Sequence, residues 1–330
     1  MVRVIYNQWY VVLDSKEIKR EKITAVKRLN KDLLFWRDNS NQIHCIERTC
    51  AHRGADLALG KIVNDHVQCP FHGIEYDGSG KAVLIPSIGK NGVIRSNFKV
   101  KSYHVDEKGD FVFMWFGEER KDLPEIKWLE GIDETFNYSS LADIWPVHYS
   151  RSIENQLDVS HLPFVHYNTI GRGGRTLVNG PIVEYKDGIM NVWVNNVSDN
   201  GQRPLKPEEV KKENCIGRLQ FIFPNYWQNI INKDLRVVAA FVPIDDSNTI
   251  IYLRFYQRFL KVPFIRNFVT KISMPFNKKV LNQDKRVVIT QKPIKSELRM
   301  NENLYQGDLP IIVYRRVREE LKKSAKGVSE

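Results

Sequence analysis

CAHRGADLALGKIVNDHVQCPFHG, residues 50–73, is the stretch that decides the organisation of this 330-residue chain. It contains two ligand arms, Cys50-x-His52 and Cys69-x-x-His72, with sixteen residues between them. Short segments with strand-like alternation flank both arms, which places the four side chains on loops of a β domain. Each arm therefore offers one thiolate and one imidazole to a metal centre.

A glycine ends each arm, Gly54 in the first and Gly73 in the second. Because glycine has no Cβ, backbone N–H groups can approach the sulfur atoms closely at these positions. A zinc finger instead pairs Cys with Cys and His with His, and it places the second pair on a helix. The mixed arms favour a [2Fe–2S] centre, in which two cysteines hold one iron and two histidines hold the other. Structural zinc is the alternative.

The two arms resemble the Rieske signature. Its respiratory-complex form has two further cysteines, and this chain has Gly54 and Phe71 at the corresponding positions. That form also has a serine after the second glycine, where this chain has Ile74. The resemblance implies fewer hydrogen bonds to sulfur and a lower potential, which point to an oxygenase rather than to quinol oxidation.

The rest of the chain divides into two parts around a charged segment. Residues 1–118 contain short strands separated by Asn, Asp and Gly turns, which predicts an all-β domain. Residues 119–330 combine longer strands with three segments of helical spacing, 150–168, 263–291 and 310–323. The fold class predicted is α+β, with an antiparallel sheet flanked by helices in the second domain. The resemblance identifies a Rieske domain followed by a catalytic domain of the helix-grip, START-like type.

A second group of candidate ligands lies in ENQLDVSHLPFVH, residues 154–166. On a continuous helix Asn155, Asp158 and His161 share one face, since they are spaced at i, i+3 and i+6. Pro163 is expected to kink or end that helix and so bring His166 to the same side. Taken alone, this pattern is more typical of structural histidines than of metal ligands.

One carboxylate stands out further along the chain. In VLNQDKRVVITQKP the spacing places Asp284 on a helix face with Val280, Leu281, Val287, Val288 and Gln291. A carboxylate on an apolar face needs a partner, which a metal or a salt bridge would supply. Asp245 and Asp246 lie in PIDDSN, which is typical of a surface turn. Asp284 is therefore the preferred candidate.

Downstream of the Rieske arms, residues 155–166 are similar to the iron-binding pattern Asn-x-x-Asp-x-x-His-x4-His of Rieske oxygenases. The resemblance implies that His161, His166 and Asp284 hold a mononuclear Fe(II), with Asn155 supporting them from outside the coordination sphere. Two histidines and one carboxylate on one side of the iron leave positions open for O₂.

Asp158 has a different implied role. By resemblance it bridges His161 of one subunit and a cluster histidine, His52 or His72, of the neighbouring subunit, which gives a short route for the electron. This arrangement implies a head-to-tail homotrimer.

The overall composition limits the partners. The net charge of +11 suits an acidic redox partner, and no nucleic-acid recognition motif accompanies it, so no nucleic-acid partner is expected. No leader sequence or membrane-spanning stretch is found, and a cytoplasmic protein is expected. The sequence lacks a flavin or dinucleotide fingerprint, so electrons from NAD(P)H are expected to arrive through a separate ferredoxin or flavin reductase.

The resemblance implies a monooxygenase that hydroxylates or oxidatively demethylates a small, ring-containing organic substrate. The alternative is a Rieske electron-transfer protein whose second domain binds a partner and holds no catalytic iron. The sequence does not identify the substrate.

Overall fold

The computed structural model describes residues 4–259 and 263–325. The chain divides into two compact units, of which one covers residues 7–126 and the other begins at residue 127 and includes residues 4–6. The first unit is built of strands and the second combines a large antiparallel sheet with helices. The predicted α+β class is confirmed.

The first unit consists of three small antiparallel sheets. Within residues 7–126 the described strands are β1 (Gln8–Asp14), β2 (Thr24–Arg28), β3 (Lys31–Arg37), β4 (Ile43–Glu47), β5 (Lys61–Val63), β6 (His66–Gln68), β7 (Glu75–Tyr76), β8 (Ala82–Leu84), β9 (Ser102–Tyr103), β10 (Val105–Lys108) and β11 (Phe111–Phe116). The strand orders are β1-β11-β10, β2-β3-β4-β9 and β5-β6-β7-β8. Short 3₁₀ helices lie at Ser15–Glu17, Leu57–Leu59 and Pro86–Ile88.

Two-residue turns set the register of these sheets. A turn of this kind requires left-handed backbone at both central residues, a conformation that Asn, Asp and Gly tolerate better than most residues. The left-handed pairs are Leu29-Asn30 between β2 and β3, Asn64-Asp65 between β5 and β6, and Gly109-Asp110 between β10 and β11. The β5–β6 hairpin fixes the second ligand arm, because Cys69 follows directly after β6.

A small apolar core lies beneath the two ligand arms. Leu34, Trp36, Leu57, Val67 and Tyr76 are completely buried in it. The two arm cysteines, at 3 and 2% exposure, belong to the same core. Close packing on this scale leaves little freedom for the sulfur positions.

The second unit is built on a seven-stranded antiparallel sheet with strand order β12-β18-β17-β16-β15-β14-β13. Its described strands are β12 (Asn137–Trp145), β13 (Leu177–Lys186), β14 (Ile189–Val197), β15 (Gly217–Ile222), β16 (Tyr226–Asn232), β17 (Leu235–Pro243) and β18 (Thr249–Gln257). The described helices are α1 (Tyr149–Leu157), α2 (Leu162–Val165), α3 (Pro263–Val288) and α4 (Leu309–Ser324), with 3₁₀ turns at Pro207–Glu209, Lys212–Asn214 and Gln306–Asp308.

The segment predicted to be helical over residues 150–168, with a kink or end at Pro163, is two helices, and the break comes earlier than predicted, after Leu157. Helix α1 ends at Leu157, because Asp158 takes an extended conformation (φ −70°, ψ 120°) and its carboxylate accepts a hydrogen bond from the Ser160 amide. Pro163 lies in the first turn of α2, where its missing N–H group costs nothing. Asp158 and His161 therefore do not share a helical face with Asn155.

The late helix was predicted over residues 263–291 and is observed as α3, which ends three residues earlier. From residue 274 onward, where its side chains are described, Asn277, Leu281, Asp284 and Val288 form a buried stripe. Val287 is 40% exposed, and Gln291 lies beyond the end of the helix and is exposed. The predicted apolar face was therefore too wide, although Asp284 does lie within it.

Helix α1 has a buried polar side that joins it to α4. The Glu154 carboxylate accepts hydrogen bonds from Arg315, at 2.7 and 3.0 Å, and from Arg151 at 3.1 Å. Glu302 forms ion pairs with the same two arginines, at 2.8 Å from Arg151 and 2.7 Å from Arg315. Glu154 and both arginines are at most 4% exposed. The network fixes α1, which leads directly into the predicted iron-binding turn.

Among the described helices, none combines the length and apolar character needed to cross a bilayer.

Candidate metal centres

The first centre is formed by the two ligand arms, which have the same backbone turn. In each arm the cysteine carbonyl accepts a hydrogen bond from the terminal glycine at 3.0 Å, Gly54 in one arm and Gly73 in the other. Both glycines are left-handed, with φ of +73° and +71°. Glycine adopts this conformation at the lowest cost, because it has no Cβ. The sequence predicted a close approach of backbone N–H groups to the sulfur atoms at these glycines, whereas the hydrogen bonds that the glycines donate go to the cysteine carbonyls.

The four predicted cluster ligands differ in their exposure to solvent. Cys50 and Cys69 are buried, whereas His52 and His72 are exposed, with their ring centroids 4.7 Å apart. Burial raises the pKa of the Cys69 thiol, so a thiolate here needs a cation to stabilise it. Two buried sulfurs beneath two exposed imidazoles suit a cluster with one iron bound by cysteine and one by histidine.

The sequence analysis missed Tyr76 as a contributor to this centre. Its hydroxyl oxygen lies 3.2 Å from Cys50 Sγ and accepts a hydrogen bond from the Ala51 amide at 3.2 Å. A metal-bound thiolate has no proton, so the hydroxyl hydrogen is then free to be donated to sulfur. Ile74, which replaces the serine of the respiratory-complex form, has no hydroxyl to donate to sulfur. Tyr76 supplies a hydroxyl donor instead. A tyrosine two residues after Ile74 was the available signal.

Replacing Tyr76 with phenylalanine is expected to make the potential of the cluster more negative. Hydrogen bonds to the sulfur atoms stabilise the reduced, more negatively charged cluster, and this substitution removes one of them. A redox titration followed by EPR measures the change. Tyr103→Phe is the matched control, because its hydroxyl donates to Glu47 at 2.8 Å, outside the arms. An unchanged potential in Tyr76→Phe would contradict the assignment.

The second centre brings together the three predicted iron ligands. One ligand atom from each of His161, His166 and Asp284 lies within 4.8 Å of the others. Asp284 Oδ1 is 2.9 Å from His166 Nε2 and 3.5 Å from His161 Nε2. His166 is 1% exposed and Asp284 is 4% exposed, whereas the His161 side chain retains 12%. Among the described His, Cys, Asp and Glu side chains, these three form the group whose ligand atoms are close enough together to bind one metal ion.

Both imidazoles present Nε2 to the centre because Nδ1 is occupied elsewhere. His161 Nδ1 lies 3.0 Å from the backbone oxygen of Asp158, and His166 Nδ1 lies 3.0 Å from Gln283 Oε1. Each oxygen is an acceptor, so the Nδ1 atoms donate and the Nε2 lone pairs remain available to a metal. Hydrogen-bonded Nδ1 atoms of this kind are typical of metal-binding histidines.

The Asp284 carboxylate supports the same assignment. Its Oδ1 atom is buried and has no partner in hydrogen-bond geometry among the described residues, despite the short distances to the imidazoles. Gln156 Nε2 approaches the other oxygen at 3.5 Å. Burial opposes a charge on His166, but the carboxylate outweighs it and raises the pKa of this imidazole. A buried carboxylate oxygen without a hydrogen bond, next to two imidazoles, suits a binding site for one metal ion.

Asp158 lies beside this centre, and Asn155 lies in the last turn of α1, three residues before it. Asn155 Nδ2 is buried and has no hydrogen-bond partner among the described residues. The Asp158 carboxylate oxygen Oδ2 is 3.9 Å from His161 Nδ1, farther than the backbone oxygen of the same residue. About a quarter of the Asp158 side chain, 28%, is exposed.

Sequence comparison agrees with this two-centre organisation. Residues 8–104 match the model of the Rieske [2Fe-2S] domain, and residues 145–324 match that of the vanillate O-demethylase oxygenase C-terminal domain. Chlorophyllide a oxygenase of Chlamydomonas reinhardtii is 32% identical over 170 residues, which are 51% of this chain and 25% of that protein. The iron-sulfur subunit of the toluene-4-sulfonate monooxygenase system of Comamonas testosteroni is 30% identical over 186 residues, 54% of this chain and 51% of that one.

The chain spans between a quarter and about half of the length of these curated relatives. Solved structures with the same fold include NdmA of Pseudomonas putida CBB5, with a TM-score of 0.80 at 20% identity over 97% of this chain and 92% of that chain. Apo dicamba monooxygenase gives a TM-score of 0.76 at 18% identity, with 99% of each chain covered. At these identities the structures show a shared fold.

Proposed function

Because this chain belongs to the Rieske non-haem iron oxygenases with a vanillate O-demethylase-type C-terminal domain, we propose that it uses O₂ to hydroxylate or oxidatively demethylate a small ring-containing substrate. The observation that carries the proposal is the convergence of His161, His166 and Asp284 within 4.8 Å. Iron bound there would supply O₂ activation at positions that the three side chains leave open.

The chain's own residues prepare that chemistry. Asp158 and Gln283 accept the Nδ1 protons and so orient the two imidazoles. Burial of His166 and Asp284 excludes water from one side of the centre, which strengthens their electrostatic interaction with a cation. The cluster bound by the two arms would supply electrons one at a time, received from NAD(P)H through a separate ferredoxin or flavin reductase.

The class of substrate is proposed from the relatives. The compounds named with them include caffeine, theobromine, dicamba and toluene-4-sulfonate, all of which contain rings. The matched family model is named after an O-demethylase and one relative after a monooxygenase system. The two reactions are related, because hydroxylation of a methyl group bound to oxygen leads to its loss.

We further propose a head-to-tail homotrimer. In it, Asp158 lies on the path of electron transfer from a cluster histidine of the neighbouring subunit, His52 or His72, to the iron centre. Two features support this proposal: the exposed surface of the Asp158 side chain and the exposure of both cluster histidines. The cytoplasmic location stays a prediction from the sequence.

Binding of nitric oxide tests whether the iron has an open coordination position that O₂ could occupy. The test does not require a known substrate. The reduced, iron-loaded chain should give the S = 3/2 EPR signal of a non-haem iron–nitrosyl complex, and His161→Ala should lose it while keeping the rhombic signal of the reduced cluster. A chain that shows the cluster signal alone, even after iron loading, would instead be the electron-transfer protein considered as the alternative.

A further inference from the structure

Gln283 lies next to the iron centre but was not predicted as part of it. Its Oε1 atom accepts hydrogen bonds from His166 Nδ1 at 3.0 Å and from Thr169 Oγ1 at 2.7 Å. Its Nε2 atom donates to Asn168 Oδ1 at 2.8 Å. The amide therefore joins α3 to the loop after His166 through both of its ends.

The two iron-site histidines differ in how Nδ1 is held. His161 donates to the backbone oxygen of Asp158, an acceptor that no side-chain substitution removes. His166 depends on the side chain of Gln283. The orientation and tautomer of His166 are thus controlled by one replaceable group, whereas those of His161 are not.

We propose that Gln283 is a positioning residue for the iron centre, and that its amide oxygen keeps His166 in the tautomer that presents a free Nε2 lone pair. This inference rests on the iron site proposed above and deepens it. Neutral imidazole carries one proton, and the Gln283 oxygen favours its placement on Nδ1.

Loss of that oxygen reverses the preference. His166 is 1% exposed, so an Nδ1–H group without its acceptor would be left buried and unsatisfied. The proton then favours Nε2, where Asp284 Oδ1 lies 2.9 Å away and can accept it. An Nε2–H group cannot bind a metal. Iron would first have to displace this proton, and its affinity falls.

We expect position 283 to tolerate substitution. Gln283 is half-buried and borders an open cavity of about 510 Å³ on the surface of α3, which Asn282 and Arg286 also line. A side chain of similar length therefore meets open space on one side rather than a filled core.

The test is the dissociation constant for Fe(II), measured anaerobically by equilibrium dialysis on the full chain after chelation of the mononuclear iron, with the cluster retained. Gln283→Met keeps the length of the side chain and removes its hydrogen bonds, and it should raise the dissociation constant by about 10- to 100-fold. Gln283→Glu keeps an oxygen acceptor and should bind Fe(II) at least as tightly as the wild type. Asn282→Ala, one residue away and exposed, is the matched control and should leave the affinity unchanged.

The outcomes separate the two levels of inference. Wild-type affinity in Gln283→Met, or equally weak binding in the Met and Glu variants, overturns the role of Gln283. A wild-type chain that binds no Fe(II) beyond its cluster overturns the proposed iron site itself. Gln283→Ala replaces the Met variant in this comparison if the latter does not fold, which circular dichroism reports directly.

Discussion

Replacement of Asp284 by alanine is expected to lower the iron content from about three to about two atoms per chain and to abolish oxygenase turnover. Two imidazoles without the carboxylate leave the metal site with one anionic ligand fewer. The loss should be specific to the second centre, because the four cluster ligands lie in the other compact unit. Metal analysis and the EPR spectrum of the reduced cluster measure both parts of this result.

Asp246→Asn is the control for that experiment. Asp246 is exposed in the turn between β17 and β18, where the sequence predicted a surface turn, so its substitution should retain about three iron atoms. An Asp284→Ala variant that keeps its full iron content and its turnover would remove Asp284 from the ligand set. An Asp284→Ala variant that loses the cluster signal as well would indicate general unfolding, and Asp284→Asn, which keeps the shape of the side chain, then decides the question.

Replacement of Glu154 by glutamine is expected to destabilise the second unit by about 3–5 kcal/mol. The substitution leaves Arg315 and Arg151 buried with one shared anion, Glu302, instead of two. An uncompensated buried cation costs far more than the lost attraction itself. Thermal or denaturant unfolding of the iron-loaded chain measures the change.

Glu320→Gln provides the comparison. Glu320 lies on the exposed side of α4 with Arg316, at 3.9 Å and i,i+4 spacing, and its substitution should change stability by less than about 0.5 kcal/mol. If Glu154→Gln lowers the free energy of unfolding as little as Glu320→Gln is expected to, the Glu154 network is not a significant source of stability. Because α1 leads into the iron-binding turn, Glu154→Gln should also weaken iron retention, whereas Glu320→Gln should not.

The cluster centre was predictable because its information is local. Four ligands within 24 residues, at spacings that mix Cys and His, restrict the chemistry before any fold is known. The all-β character of this unit was predictable as well, since strand-like alternation and turns rich in Asn, Asp and Gly are short-range signals. Tyr76 was missed because its role depends on how β7 packs beneath the first arm.

The iron centre was predictable only in part. Its histidines and Asp284 have recognisable patterns, and the structure brings these three side chains together. The break in the helical segment 150–168 was predicted at Pro163 but occurs at Asp158, because helical spacing does not reveal that the Asp158 carboxylate accepts a hydrogen bond from the Ser160 amide. Gln291 was expected to share the helix face of Asp284, but the glutamine that contacts the iron centre is Gln283, through His166 Nδ1. The Glu154 network depends on residues from three distant segments, which no periodicity connects.

The distance along the chain between the parts of each centre sets an order of assembly. The cluster ligands need only the closure of one short hairpin region, whereas His166 and Gln283 are 117 positions apart and strands β13–β18 lie between them. Closure of so long a loop has a larger entropic cost, which the folded sheet must offset first. During biosynthesis we therefore expect the cluster to be inserted early, on a segment translated before the sheet, and the single iron to be acquired last, as the mark of a completed second unit.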